Sequence, residues 1–260
     1  MERDTDDMSG VIYNLGRQLG HRVVPAIRKT RWIWAHLTGS EEEARRAEQS
    51  FGAALAVELR AALEPVDDSE ARSRVNNVCA RIEDSLRPPH HAYHCSLIRA
   101  DQANAIAIPG GFIFLSQSLY RLCEGNRDEL AFVIGHEMAH IVRGHTWDRM
   151  LNQTALNAAS AVAFRGGALG AWLRQKGMRL LQSGHSRESE KEADELALRL
   201  AVAAGFDSAG SISLLQRIQN LGPDPTLLGQ YFASHPPAAE RIARLRELRQ
   251  GLPSRDRTRP

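Results

Sequence analysis

Two histidines four residues apart, with a glutamate directly after the first, stand at His136-Glu137-Met138-Ala139-His140. On a helix, side chains four positions apart leave the same face one turn apart. Both imidazoles can therefore reach one Zn²⁺, and Glu137 then lies where it can take a proton from an attacking water. The surrounding residues, Leu130 to Val142, are almost all apolar. A buried helix does not carry His, Glu and His without partners for them, because an unpaired buried carboxylate costs several kcal/mol on an order-of-magnitude scale.

A catalytic zinc needs a third protein ligand and a position left open for water. The acids after Ser186 divide onto two faces at about 100° per residue. Glu188, Glu192, Glu195 and Arg199 form a charged side expected to face solvent, whereas Glu190 and Asp194 share a side with Ala193, Ala197 and Ala201. Small apolar neighbours mean close packing, and two carboxylates there need a cation. Glu190 is the expected third ligand, and Asp194, one turn on, the residue that orients a ligand imidazole. His145 competes for the ligand role, but a three-histidine site of the metzincin kind would need Gly and His where the chain has Arg143 and Thr146.

The residues resemble the HtpX, CAAX prenyl endopeptidase and BepA/LoiP type of gluzincin, the forty-eighth metallopeptidase family. The likeness rests on Gly135 to His140 with His145 following, on Ser186-Arg187-Glu188-Ser189-Glu190-Lys191-Glu192-Ala193-Asp194, on Ser234-His235-Pro236 with Arg241, and on Asn104-Ala105-Ile106-Ala107-Ile108-Pro109-Gly110-Gly111. The resemblance implies a zincin-like peptidase domain with one zinc on His136, His140 and Glu190, and Glu137 as general base. It also implies that Ala105, Ile106, Ala107 and Ile108 form an edge strand on which a polypeptide substrate docks by β-augmentation. In some relatives the histidine matching His235 approaches the metal and holds the enzyme inactive, and Arg241 matches an arginine of that loop. From the residues alone, His235 before Pro236 is equally a capping or packing residue. An oxyanion donor is needed, with His145, His235 and Arg241 as unranked candidates.

The reaction expected is hydrolysis of peptide bonds, in unfolded or misassembled proteins. An alternative is a latent or non-catalytic zinc-stabilised chaperone-like binding protein, against which the intact Glu137 argues. A metal-dependent hydrolase acting on something other than peptides is a third reading.

The elements that must position these groups give an α+β, mainly helical fold with a small sheet beside the HExxH helix. Ser40 and Glu43 have the form of a capping box ahead of Ala44, Ala47, Phe51, Ala54, Leu55 and Leu59, a single apolar face ending before Pro65. A second helix starts at Asp68 or Ser69, carries Val75, Val78, Cys79 and Ile82, and stops before Pro88-Pro89. Tyr93 to Arg99 and Ala105 to Leu115 are β-prone, the second interrupted by the turn Pro109-Gly110-Gly111. Arg127-Asp128-Glu129 opens the buried helix and Arg143-Gly144 closes it. Residues 147–181 read as a bent hairpin or a lid, and further helices begin near Ser186 and at Pro237. The organisation expected is an N-terminal helical segment over 1–68, a zinc metallopeptidase domain over 69–250 and a disordered tail over 251–260.

The bulk properties fit. Of 260 residues 43% are apolar and 25% charged, ordinary for a globular chain. With 33 basic against 31 acidic residues there is no excess for phosphate neutralisation, which argues against nucleic acid as a partner. Cys79, Cys95 and Cys123 show no C-x-x-C spacing and read as three buried thiols. Met1 to Asp7 is acidic where a secretory signal is basic. Residues 155–173 are apolar but interrupted by Asn157 and Arg165, short of a transmembrane helix. A cytoplasmic protein is expected, with membrane association as the alternative and a peripheral membrane contact left open.

Overall fold

The architecture follows from one helix that is apolar on every side. Arg127–Val142 (α4) is buried from Glu129 to Ile141, so other elements must cover it all round. In the computed structural model they do. The structure describes residues 41–86, 91–123, 125–154, 184–222, 227–228, 235 and 237–251. The chain divides into two units, Met1–Ala47 and Glu48–Pro260, and α4 lies in the second.

Helix α1 spans Glu41–Ala62 and α2 Ser69–Ser85. Three strands come next, β1 His94–Ile98, β2 Ala105–Ile108 and β3 Phe112–Ser116, then a short α3 at Gln117–Leu122. Beyond α4 come α5 His145–Thr154, α6 Arg187–Ala203, α7 Ala209–Leu221 and α8 Ala238–Gln250. The sheet order is β1-β3-β2, with β1 parallel and β2 antiparallel to β3. Gly110 and Gly111, at φ 82° and 98°, make the β2–β3 turn in a region that side chains rarely adopt.

The expected mainly helical α+β fold with a small sheet beside α4 is the fold observed. Alternation along β2 sorts two cores. Ala105 and Ala107 face the cluster of α2, α4, α6 and α7, while Ile106 and Ile108 join Leu55, Leu59, Phe112, Phe114 and Met150 on the opposite side. On α1 the buried face runs through Leu55, Ala56 and Leu59; Ala54, assigned to it by spacing, is exposed, because the sheet covers a narrower strip than the apolar positions span. Asp68 caps α2 through Ala71 N–H at 2.9 Å, and α2 buries Val75, Val78, Cys79 and Ile82.

The packing of α6 on α4 matters most for function. At Gly135 a side chain would bring its Cβ within 3.3 Å of the Ala197 carbonyl oxygen. That close crossing sets the turn of α4 bearing His136 against the turn of α6 bearing Glu190 and Asp194. Helix α7 closes another side, holding the α4 carboxylate of Glu129 through Ser213 Oγ at 2.8 Å and Arg217 at 3.2 Å. The expected lid lies mostly outside the described residues, as do residues 1–40 of the expected N-terminal segment and the 251–260 tail beyond Gly251. Among the described residues no helix is long and apolar enough to cross a membrane.

Candidate metal centre

The first requirement for a metal is a set of donor atoms at the right separations. His136 Nε2 and His140 Nε2 stand 3.1 Å apart, His136 Nε2 and Glu190 Oε2 3.5 Å, and His140 Nε2 and Glu190 Oε1 3.3 Å. Donors on a tetrahedral zinc, each about 2.0–2.1 Å from the ion, lie about 3.3 Å from one another. All three residues are at most 4% exposed. Glu190 Oε1 is buried with no hydrogen-bond donor, a costly state for an ionised oxygen and the one that a cation relieves. The residues therefore fit the ion.

Each of the two candidate histidine ligands is backed by a chain of polar contacts that fixes which nitrogen would face a metal. Behind His136, Nδ1 lies 3.0 Å from Asp194 Oδ1. Asp194 in turn accepts two bonds from Arg241 of α8, Nε to Oδ2 at 2.9 Å and Nη2 to Oδ1 at 2.7 Å. Behind His140, Nδ1 lies 3.1 Å from His145 Nδ1, and His145 Nε2 lies 3.5 Å from Glu192 Oε2. With Nε2 of His140 turned to a metal, its Nδ1 carries the proton and donates to His145, whose own proton then sits on Nε2 toward Glu192. His185 stacks on the His140 ring with centroids 3.8 Å apart.

The electrostatics follow from these contacts. Burial would lower the His136 pKa, but the bonds to Asp194 and Glu190 outweigh it and raise it to about 9. Burial pushes His140 down to about 3 and His145 to about 4. For Glu190 burial acts upward, yet His235, His136 and His140 hold its carboxyl far below the usual range. Asp194 is likewise held down, by Arg241 first among its partners, against burial.

Glu137, 6% exposed, borders a small cavity with His136, His235, Arg241, Phe132 and the β2 residue Ala105. His235 Nδ1 donates to Glu190 Oε2 at 2.7 Å, so this histidine meets the ligand set directly. His136, Glu137 and His235 form a second group with donor atoms within 4.8 Å of one another.

Of the oxyanion candidates, His145 lies behind His140, while Arg241 borders the cavity and gives its Nε and Nη2 donors to Asp194. Two expectations need correction. Glu192 is not on a fully solvated face, because the residues after Gly144 turn His145 back onto it. Cys95 is only half-buried and touches Cys79 instead of lying isolated in the core. Sequence reasoning missed His185, the role of Glu192 and helix α7, although Ile212, Leu215 and Ile218 carry a helical signal for the last.

A family model described as peptidase family M48 matches residues 69–249. The chain is 26% identical over 214 residues to the beta-barrel assembly-enhancing protease of Yersinia pestis, covering 75% of this chain and 42% of that protein. It is 30% identical over 155 residues to the mitochondrial metalloendopeptidase OMA1 of Schizosaccharomyces pombe, covering 58% and 45%. With the metalloprotease LoiP of Escherichia coli K12 it shares 30% over 153 residues, covering 57% and 59%. The chain thus spans about half the length of the relatives it matches.

Proposed function

The chain belongs to peptidase family M48, and from that premise we propose that it is a zinc-dependent endopeptidase whose metal is held by His136, His140 and Glu190. The observation that carries this reading is the convergence of the three donor groups at 3.1–3.5 Å with Glu137 on the next residue of the same helix. When bound there, zinc supplies Lewis acidity toward a carbonyl and lowers the pKa of water toward about 7. Glu137 accepts the proton of the attacking water and returns it to the leaving amine. Asp194 holds the His136 imidazole with its Nδ1 proton inward, and Arg241 holds Asp194.

Substrate recognition is assigned to β2. It is an edge of the sheet among the described strands, and its first residue, Ala105, borders the cavity that also contains Glu137. A chain that adds to this edge must be extended. Folded proteins expose few such segments, so unfolded or misassembled polypeptides are the proposed substrates, a reading that agrees with the name of the assembly-enhancing relative. Residues 69–250 would form the catalytic unit. His235 is the candidate that meets the ligands from the cavity side: a role in stabilising the oxyanion means that His235→Ala loses turnover, whereas a latch means that it gains turnover.

The test is zinc content and cleavage of unfolded casein, measured in parallel on wild type and Glu137→Gln. About one zinc per chain in both, with cleavage by wild type only, is the expected result. Zinc in both with cleavage in neither would favour the binding-protein alternative, and zinc in neither would remove the basis of the proposal.

A further inference from the structure

Cys79 and Cys95 lie sixteen residues apart in sequence, on different elements, yet their sulfurs are 2.8 Å apart. Carbon atoms in non-bonded contact rest about 3.5–4.0 Å from one another, and the larger sulfur atoms no closer. Each backbone is held by regular structure. Cys79 is in α2 between the buried Val75, Val78 and Ile82, and Cys95 is paired with Ile113 in the β1–β3 ladder. The two side chains point at each other from a helix and the strand beneath it, and closing to a disulfide bond of about 2.05 Å needs less than about 1 Å of further approach.

Access is unequal. Cys79 is 3% exposed. Cys95 is half-buried and lines a cavity of about 320 Å³ along the outer side of β1, with Arg60, Leu63, Arg72 and Asn76. A small oxidant can therefore reach Cys95 while Cys79 waits behind it. Cys123, the remaining thiol, is 1% exposed and has neither a cysteine neighbour nor this opening.

We propose that Cys79 and Cys95 are a site of disulfide formation, oxidised by a low-molecular-weight disulfide that enters the cavity beside β1. In the first exchange the Cys95 sulfur attacks the small disulfide; a mixed disulfide forms and one small thiol leaves. In the second the Cys79 sulfur attacks the Cys95 sulfur, the protein disulfide forms and the second small thiol leaves. Two protein thiols are oxidised and one small disulfide is reduced, so electrons and protons balance. The hydrogen bond that the Cys95 thiol donates to Cys79, then burial, raises the Cys95 pKa, which makes the first exchange slow at neutral pH and faster as pH rises. Such a bond ties α2 to the sheet and belongs to an oxidising compartment.

The test uses the full chain incubated with glutathione disulfide, then denatured and alkylated. One alkylated cysteine per chain, Cys123, together with a proteolytic peptide linking Cys79 to Cys95, is the expected result. The oxidised protein should melt about 6–12 °C above the reduced protein, as expected for a cross-link closing a loop of this size. Cys123→Ser should keep that shift, and Cys95→Ser should lose it. Three alkylated thiols at equilibrium, a stable glutathione adduct on Cys95 with Cys79 free, or a link through Cys123 would each overturn the proposal. None of these readouts depends on zinc or turnover.

Discussion

Replacing Arg241 by methionine keeps most of the side-chain volume and removes the charge that faces Asp194. Both side chains are at most 5% exposed and are joined by two bonds of 2.7 and 2.9 Å. Breaking a buried pair from one side costs about 3–5 kcal/mol, because the remaining charge is left without its partner. Asp194 keeps a neighbour in His136, whose Nδ1 lies at 3.0 Å, so the lower end, about 3 kcal/mol, is the expected loss. For a domain of this size that lowers the melting temperature by about 6–12 °C. His136 would also lose the fixed carboxylate that orients it, and zinc affinity should fall about 10–100-fold. Urea unfolding of metal-stripped protein measures the first effect, and competition with a chromophoric chelator the second. Asp194→Asn combined with Arg241→Met should cost less than the two single losses added together, since the double variant leaves neither charge of the pair buried. Strict additivity, or an Arg241→Met variant within about 0.5 kcal/mol of wild type, would refute the account of how α8 supports the metal centre.

Three further outcomes are expected. Glu192→Gln weakens the relay behind His140 and should reduce zinc affinity about tenfold or more, with little change in the unfolding midpoint of the metal-free protein; equal affinity in chelator competition would show that His145 needs no carboxylate. Metal-free His136, raised to about 9, is charged at pH 7.5, while His140, lowered to about 3, is neutral and Glu190 is ionised. Zinc needs neutral imidazoles, so binding should release about one proton near pH 7.5, read from calorimetry in buffers of different ionisation enthalpy, and affinity should fall as pH drops below about 9. Gly210→Ala places a Cβ 2.4 Å from the Asp128 carbonyl carbon, so α7 must shift off the start of α4, at an expected cost of about 1–3 kcal/mol in urea unfolding.

The part of the metal centre legible in the sequence is the part that helical geometry controls. His136 and His140 share a face because of their spacing, and Glu190 and Asp194 share one because small alanines mark the packed side of α6. Strands β1 to β3 are readable from β-prone runs and the Gly110-Gly111 turn, and α4 from its acid start and glycine end. In each case the signal is local, and the burial of the finished fold acts in the same direction as the local preference.

The features that stay hidden depend on contacts between distant segments. Glu192 looks solvated because a helical wheel shows only which residues share a side, and nothing in the spacing shows that the turn at Gly144 aims His145 at it. The same limit applies to Arg241, whose place on α8 gives no sign that its guanidinium reaches α6, and to Cys79 and Cys95, whose sixteen-residue separation matches no metal or disulfide motif. These hidden contacts share one physical purpose at the metal centre. A buried zinc ligand must have its tautomer and angle fixed from outside the metal's reach, and an α4–α6 pair alone offers Asp194 to His136 but neither a cation to hold Asp194 nor a partner for His140 Nδ1. The support has to come from other elements, α8 for His136 and the start of α5 for His140, so the precision of the centre depends on the packing of the whole unit and not on the HExxH segment alone.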